Sequence, residues 1–228
     1  QAGFRELRTK RLGFHFLRAS IHSISMISWF IAITLIPLAD ATALSFAIPI
    51  YTSIGAILFM GEPSLLQRWV AVTLGFIGML IILRPGISEI SLGSILVVGS
   101  AIAIAISKLM VKSLVRTDTP ANIVFFLSLW ITIISFFPAL FFWKWPPYEL
   151  WLWLVLLGVA GSFGHIIQTY AYKIGEVTAV EPASYFRLLW AAAFGFILFS
   201  EVPDLWIWVG TVIIVTGAIQ LTRYESRK

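Results

Sequence analysis

The sequence contains no cysteine and few charged residues. The absence of cysteine excludes disulfides, thiol catalysis and zinc–thiolate sites. Charged residues make up 12% of the 228 positions, whereas a soluble domain has about a quarter. Hydrophobic residues make up 59%, which excludes a disordered chain and argues against a water-soluble enzyme. The composition therefore predicts a membrane protein.

Eight apolar segments of about the length that crosses a bilayer follow one another along the chain. Short connections containing Pro, Gly, Asp or Ser separate them, and the period-two alternation of transmembrane strands is absent from them. The sequence therefore predicts an all-α fold, a polytopic bundle of transmembrane helices. The predicted helices are 16–38, 41–60, 68–83, 92–114, 121–142, 150–172, 178–200 and 205–222.

The sixteen Lys and Arg residues are distributed unevenly between the two ends of these helices. With the N-terminus placed in the cytoplasm, thirteen of them lie at cytoplasmic ends, Arg84 and Lys144 lie at outer ends, and Arg187 lies within a helix. Cytoplasmic loops of membrane proteins carry such an excess of basic residues. The pattern predicts cytoplasmic termini, and it explains the sequence pI of about 9.7 without a nucleic-acid partner.

The chain contains an internal repeat at a separation of about 136–139 residues, a length that holds five helices. Because five is an odd number, the two copies are inverted relative to each other, as in many secondary transporters. We expect ten helices in two complete copies. On that expectation residues 1–88 hold the last three helices of the first repeat, with two helices missing before them, and residues 89–228 hold the complete second repeat. The matched pairs are Thr42 with Thr178, Glu62 with Glu201, Trp69 with Trp208 and Gly78 with Gly217.

Polar side chains recur at helical spacing on one face of two apolar segments, which predicts that these faces line a cavity. The first stripe comprises Arg18, His22, Ser25 and Trp29, and the second comprises Ser162, His165, Gln168 or Thr169, and Tyr172. Glu62 and Glu201 each end a helix, and we interpret them as structural residues that shape the next turn or dock the two halves.

Arg187 lies about nine residues inside its predicted helix, where an unpaired charge costs about 2.5–3.5 kcal/mol. We interpret it as a ligand for a substrate carboxylate or phosphate; the alternative is a pairing or snorkelling role. Glu181 is either a carrier of a coupling proton or an interfacial residue. Pro49 and Pro182 occupy near-equivalent places inside predicted helices, and matched helix breaks indicate a binding region.

Several motifs carry a resemblance to a known family. They are Leu58-Phe-Met-Gly-Glu62, Arg68-Trp69, Arg84-Pro-Gly86 and, in the second half, Phe199-Ser-Glu-Val-Pro-Asp204. The sequence resembles the EamA family of the drug/metabolite transporter superfamily, in its bacterial branch. The resemblance implies ten helices and transport of a small polar metabolite, of the amino-acid, riboflavin or S-adenosylmethionine class, across the bacterial inner membrane. The motifs that carry the resemblance also include Tyr185, which we add to the candidate substrate-binding residues.

Two other function classes remain as alternatives. An intramembrane hydrolase would use Ser162 and His165, but these residues lie on one helix, and no HExxH, Walker or CxxC motif is present. A non-transporting scaffold or degenerate transporter is the second alternative. We expect no catalytic residue, metal or cofactor. The expected partners are a small metabolite, the lipid bilayer and a proton or counter-solute, in a monomer or homodimer.

Overall fold

The computed structural model describes residues 9–36, 38–83, 91–186, 190, 193, 197 and 205–225. Within these residues the chain is helical with short turns and without strands, which confirms the all-α prediction. Two short 3₁₀ segments, Tyr148–Leu150 and Glu181–Tyr185, accompany the α-helices. The α-helices are α1 (Leu12–Leu35), α2 (Leu38–Ser45), α3 (Ile48–Met60), α4 (Leu66–Leu83), α5 (Leu92–Leu114), α6 (Pro120–Phe142), α7 (Trp151–Ile174), α8 (Val177–Val180) and α9 (Leu205–Glu225).

The predicted helix 41–60 is wrong in one respect, because the chain turns at residues 46–47 between α2 and α3. Pro49 is the second residue of α3 and not an interior residue. Pro182 is likewise the second residue of a 3₁₀ segment, which follows the four residues of α8. Proline has no N–H to donate to the preceding turn, so it is placed where a helical element begins.

Four stretches are long and apolar enough to cross a membrane: Leu12–Leu35, Leu92–Leu114, Pro120–Phe142 and Tyr148–Ile174. Three shorter apolar helices accompany them, at Ile48–Met60, Leu66–Ile81 and Trp208–Leu221. Their large apolar side chains are extensively exposed on the protein surface, as a lipid environment permits. The chain is a multi-pass membrane protein.

The chain divides into two compact units by its internal contacts. Unit 1 comprises Gln1–Ile24 and Ser107–Gly175, and therefore contains the first half of α1, the end of α5, α6 and α7. Unit 2 comprises Ser25–Ile106 and Glu176–Lys228. The candidate site residues fall into both units, and each unit is described by itself below.

Small residues bring α4 and α9 close together in unit 2. A Cβ added to Gly78 would lie 2.8 Å from the backbone oxygen of Gly210 and 2.7 Å from a side-chain carbon of Ile214. From the other helix, a Cβ on Gly217 would lie 3.1 Å from Leu74. The two glycines that the repeat matches therefore both lie in this one helix–helix contact, where small residues permit close backbone approach.

Candidate functional site

Two histidines from different helices meet inside unit 1. The rings of His22 on α1 and His165 on α7 lie 5.7 Å apart between centroids, in an edge-to-face arrangement. The hydroxyl of Ser107, near the end of α5, lies 3.4 Å from Nδ1 of His22. Three helices thus contribute polar groups to one place within membrane-spanning segments, where polar groups are costly and mark functional sites.

Arg18 lies one helical turn before His22 on the same face of α1. Its residue is only 3% exposed, and Nη1 donates a hydrogen bond of 3.2 Å to the backbone oxygen of Ile123. Its charge acts on both His22 and His165. Arg18 is therefore a protein-enclosed cation beside the histidine pair.

The end of α7 supplies two further groups. The side-chain nitrogen of Gln168 donates to the hydroxyl of Tyr172 at 3.5 Å, and Tyr172 is fully buried and lies within electrostatic range of Arg18. Lys112 of α5 fixes this end of the helix by donating to the carbonyl oxygens of Tyr172 and Gly175, at 3.0 and 2.6 Å. We call Arg18, His22, Ser107, His165, Gln168 and Tyr172 the polar cluster.

The polar cluster can bind a polar solute through amide, hydroxyl and imidazole groups, and its imidazoles can accept or release protons. Among the described residues, no group of three or more His, Cys, Asp or Glu side chains has an arrangement that would hold a metal ion. Thr169, the alternative to Gln168 in the predicted stripe, instead bonds back to the carbonyl of His165 at 2.7 Å. Ser162 is exposed on α7 and lies outside the cluster.

Two residues of the first stripe lie in helix packing within unit 2. The hydroxyl of Ser25 donates to the backbone oxygen of Ser100 at 2.8 Å, and the hydroxyl of Ser100 donates to the backbone oxygen of Ser25 at 2.9 Å. Trp29 packs against a small apolar cluster that includes Ala32, Ala41 and Val97. Ser25 and Trp29 thus hold helices together in this structure, and a binding role for them stays a prediction.

The candidates around the second helix break also lie in unit 2. Tyr185 is fully buried, stacks on Phe46 with ring centroids 5.8 Å apart, and donates from its hydroxyl to the backbone oxygen of Phe46 at 3.2 Å. Glu181 is fully buried, and Pro49 and Pro182 are buried as well. Both interpretations of Glu181, as a carrier of a coupling proton and as an interfacial residue, stay predictions. Arg187 and Glu201 lie outside the described residues.

Glu62 holds the first turn of α8. Its carboxylate accepts hydrogen bonds from the backbone N–H groups of Val177 and Thr178, at 2.8 and 2.9 Å, and from the hydroxyl of Thr178 at 2.8 Å. Arg68 donates to the same hydroxyl at 2.8 Å and pairs with Glu176. Glu62, which the sequence analysis interpreted as a structural residue of the next turn or of the contact between the two halves, thus bonds to residues of the other predicted repeat. The identity of these partners was not predictable from the sequence.

One buried pair in unit 1, His15 and Asp118, was not predicted from the sequence. Nε2 of His15 lies 3.6 Å from a carboxylate oxygen of Asp118, and both side chains are almost fully buried. Burial acts to raise the pKa of Asp118, but hydrogen bonds from Thr117 and Thr9, and the nearby His15, outweigh it and hold that pKa below its usual value. Asp118 lies in the connection between α5 and α6, outside the spans, where no helical pattern reveals its partner.

Comparison with known proteins places the chain among transporters. The EamA-like transporter family matches residues 2–84 and 91–223. A riboflavin transporter of Vibrio cholerae is 34% identical over 97% of this chain and 75% of its own length, and an S-adenosylmethionine uptake transporter of Rickettsia prowazekii is 30% identical over 99% and 76%.

A more distant relative, the pseudopaline exporter of Pseudomonas aeruginosa, is 27% identical over 92% of this chain and 75% of its own length. A solved crystal structure shares the fold with a TM-score of 0.85 at 18% identity, covering 99% of this chain and 80% of that chain. The family match spans nearly the whole sequence and agrees with the helical membrane architecture. The chain belongs to the EamA-like transporter family.

Proposed function

We propose that the protein is a secondary transporter of the bacterial inner membrane that moves a small polar metabolite of the riboflavin or S-adenosylmethionine class. The relatives that carry those names support the substrate class, since each aligns with almost all of this chain. The observation that carries the proposal is the polar cluster. Its histidines and arginine lie within membrane-spanning segments, on α1 and α7, and Ser107 of α5 lies beside them.

The mechanism we propose is alternating access between the two inverted repeats, residues 1–88 and 89–228. Support comes from the matched helix breaks: α2 ends shortly before Pro49, and α8 gives way to a 3₁₀ segment at Pro182. Interrupted helices at matched positions of two repeats are where secondary transporters bind their solutes. Exchange of solutes or coupling to protons supplies the driving force, and both termini lie in the cytoplasm.

Counterflow in proteoliposomes tests this function directly. Vesicles containing the protein are loaded with unlabelled riboflavin or S-adenosylmethionine and placed in a trace of the same labelled solute. We expect transient accumulation of label for one of the two solutes. His165→Leu lowers it by about tenfold, because a lost polar contact of about 1.4 kcal/mol changes affinity by that factor.

Ser162→Ala is the matched control, since Ser162 lies on the same helix but is exposed outside the cluster. It should transport at the wild-type rate. Absence of counterflow for both solutes, with the protein folded and inserted, would contradict the proposed function and favour a non-transporting role. Equal rates in His165→Leu and Ser162→Ala would leave transport standing but exclude the polar cluster as its site.

A further inference from the structure

Arg18 is a cation without a counter-ion in the described part of unit 1. Its guanidinium donates to one backbone carbonyl, that of Ile123, and its Nε–H has no hydrogen-bond partner although the residue is only 3% exposed. Among the described residues of this unit, no carboxylate oxygen lies within 4.0 Å of its nitrogens. The carboxylate of Asp118 is held by Thr117 and His15 instead.

The other described groups around Arg18 do not supply negative charge either. His22 and His165 lie within its electrostatic range, and Lys108 acts on His165 as well. The hydroxyls of Ser107 and Tyr172 are neutral. Because an arginine side chain is protonated at neutral pH, Arg18 carries a positive charge for which the described residues of this unit supply no carboxylate partner.

An oxyanion is the chemical group that would satisfy this arrangement. The Nε–H of arginine is one of the two donors on the side of the guanidinium that binds carboxylates and phosphates in a bidentate manner. In Arg18 that donor is unused, while the Nη1 bond to Ile123 fixes the plane of the group. Ser107 and the two imidazoles add donors beside it.

We propose that Arg18 binds an anionic oxygen group of the transported solute, a carboxylate or a phosphate, with His22 and His165 beside it. This inference rests on the proposed transport function and narrows the substrates to metabolites that carry a carboxylate or a phosphate group. It concerns a residue on α1, and it is separate from the prediction made for Arg187. It also accounts for a buried arginine that the protein leaves partly unsatisfied.

Two pairs of solutes that differ only in the acidic group provide the test. S-adenosylmethionine is compared with its decarboxylated form, and flavin mononucleotide is compared with riboflavin, by counterflow in proteoliposomes. The first pair identifies a carboxylate and the second a phosphate. In one of the two pairs, we expect the solute that carries the carboxylate or phosphate to be transported about tenfold better than the solute that lacks it.

Variants of Arg18 assign this preference to the residue. Arg18→Gln should remove the preference, because it lowers transport of the solute that carries the acid by about tenfold more than transport of its acid-free partner. Arg18→Lys keeps the positive charge but loses the paired N–H donors of the guanidinium, so it should retain part of the preference. It also provides the test if Arg18→Gln fails to fold. The matched control is Arg116→Gln, at an exposed arginine in the connection after α5.

The possible outcomes distinguish failure of the proposed anion site from failure of the proposed transport function. Equal transport of both members of each pair, or an equal loss of both in Arg18→Gln, would overturn the anion site while transport itself stands. Counterflow of none of the four solutes by the folded protein would overturn the proposed function and this inference with it.

Discussion

The carboxylate of Glu62 binds Thr178 twice, accepting hydrogen bonds from its backbone N–H at 2.9 Å and from its hydroxyl at 2.8 Å. The two residues are 116 positions apart in the chain, one in each predicted repeat. Thr178 also accepts a hydrogen bond from Arg68. A buried carboxylate with three donors, two of them backbone groups, ties the end of one apolar helix to the start of another element.

Removing this carboxylate should destabilise the protein. Glu62→Ala leaves the N–H groups of Val177 and Thr178 without an acceptor, and each orphaned buried donor costs about 1–3 kcal/mol. We expect a loss of about 2–4 kcal/mol in the free energy of unfolding in detergent micelles, measured by denaturant titration of tryptophan fluorescence. Glu149→Ala, at an exposed glutamate, is the control, and equal midpoints for the two variants would contradict the bonding described.

The hydroxyl of Thr178 should matter separately from its backbone. Thr178→Val removes the group that bonds to both Glu62 and Arg68, at a cost of about 1–3 kcal/mol, whereas Thr178→Ser keeps it and should stay within about 0.5 kcal/mol. In a double-mutant cycle, the loss of stability in the variant that carries both Thr178→Val and Glu62→Ala should be smaller than the sum of the two single losses. The reason is that both substitutions remove the same shared hydrogen bond. Full additivity would show that the bond contributes nothing.

The sequence predicted the type of fold and the faces of the helices, but not which faces meet. Glu62 stood out because glutamate, tryptophan and glycine recur at one offset, and His22 and His165 stood out because each belongs to a polar stripe in an apolar helix. Their partners lie on elements distant in the chain, and local periodicity carries no information about distant packing.

A stripe on a long helix also passes different neighbours along its length. Arg18 and Trp29 are separated by about 16 Å along α1, so the same face that carries His22 beside His165 carries Ser25 against Ser100 further on. Spacing alone therefore does not indicate which members of a stripe share the same neighbours. Asp118 was not predicted because it lies in a connection between helices. A residue there belongs to no helical face, so its contact with His15 is not predictable from spacing.

Because α4 and α9 are in close contact, adding a single methyl group at a glycine between them should destabilise the protein. Gly78→Ala would place a Cβ 2.8 Å from a backbone oxygen, which cannot move aside without shifting a helix. We expect a loss of about 1–3 kcal/mol in unfolding free energy. Gly99→Ala is the control on α5, since a Cβ there meets nothing within 4 Å, and it should be neutral or stabilising by up to about 1 kcal/mol. A Gly78→Ala protein as stable as the control would rule out the packing described.

Lowering the pH should destabilise the folded protein by protonating Asp118. Because its pKa lies below the usual value in the folded protein, the folded state binds fewer protons there than the unfolded state. The stabilisation is complete above the ordinary carboxyl pKa of about 4 and is lost as the pH falls through the lowered folded-state value. Asp118→Asn should therefore be less stable than wild type by about 1–2 kcal/mol at pH 7, and the difference should vanish in acid.

Unfolding midpoints of both proteins between neutral and strongly acidic pH provide the measurement. Other carboxyl groups titrate in both proteins alike, so the difference between the two curves reports Asp118. A difference that stayed constant across the acidic range would show that the carboxyl gains nothing from Thr117, Thr9 and His15 in the folded state.

A disulfide between α1 and α5 tests whether the two predicted repeats move against each other. The chain has no cysteine, so Ser25→Cys with Ser100→Cys creates the sole pair of thiols in it. The two hydroxyl oxygens lie 2.9 Å apart, which places the side chains within reach of a bond about 2 Å long. Oxidation should join residues of different repeats without a competing thiol.

Under alternating access, the oxidised variant should lose counterflow, and reduction should restore it, because a covalent link between the repeats holds one arrangement. The single variants, treated with the same oxidant, control for chemical damage, and a mass shift of two hydrogens confirms the bond. Counterflow at the full rate with the disulfide formed would contradict movement at this contact, and the repeats would then have to exchange access by a motion that leaves Ser25 and Ser100 together.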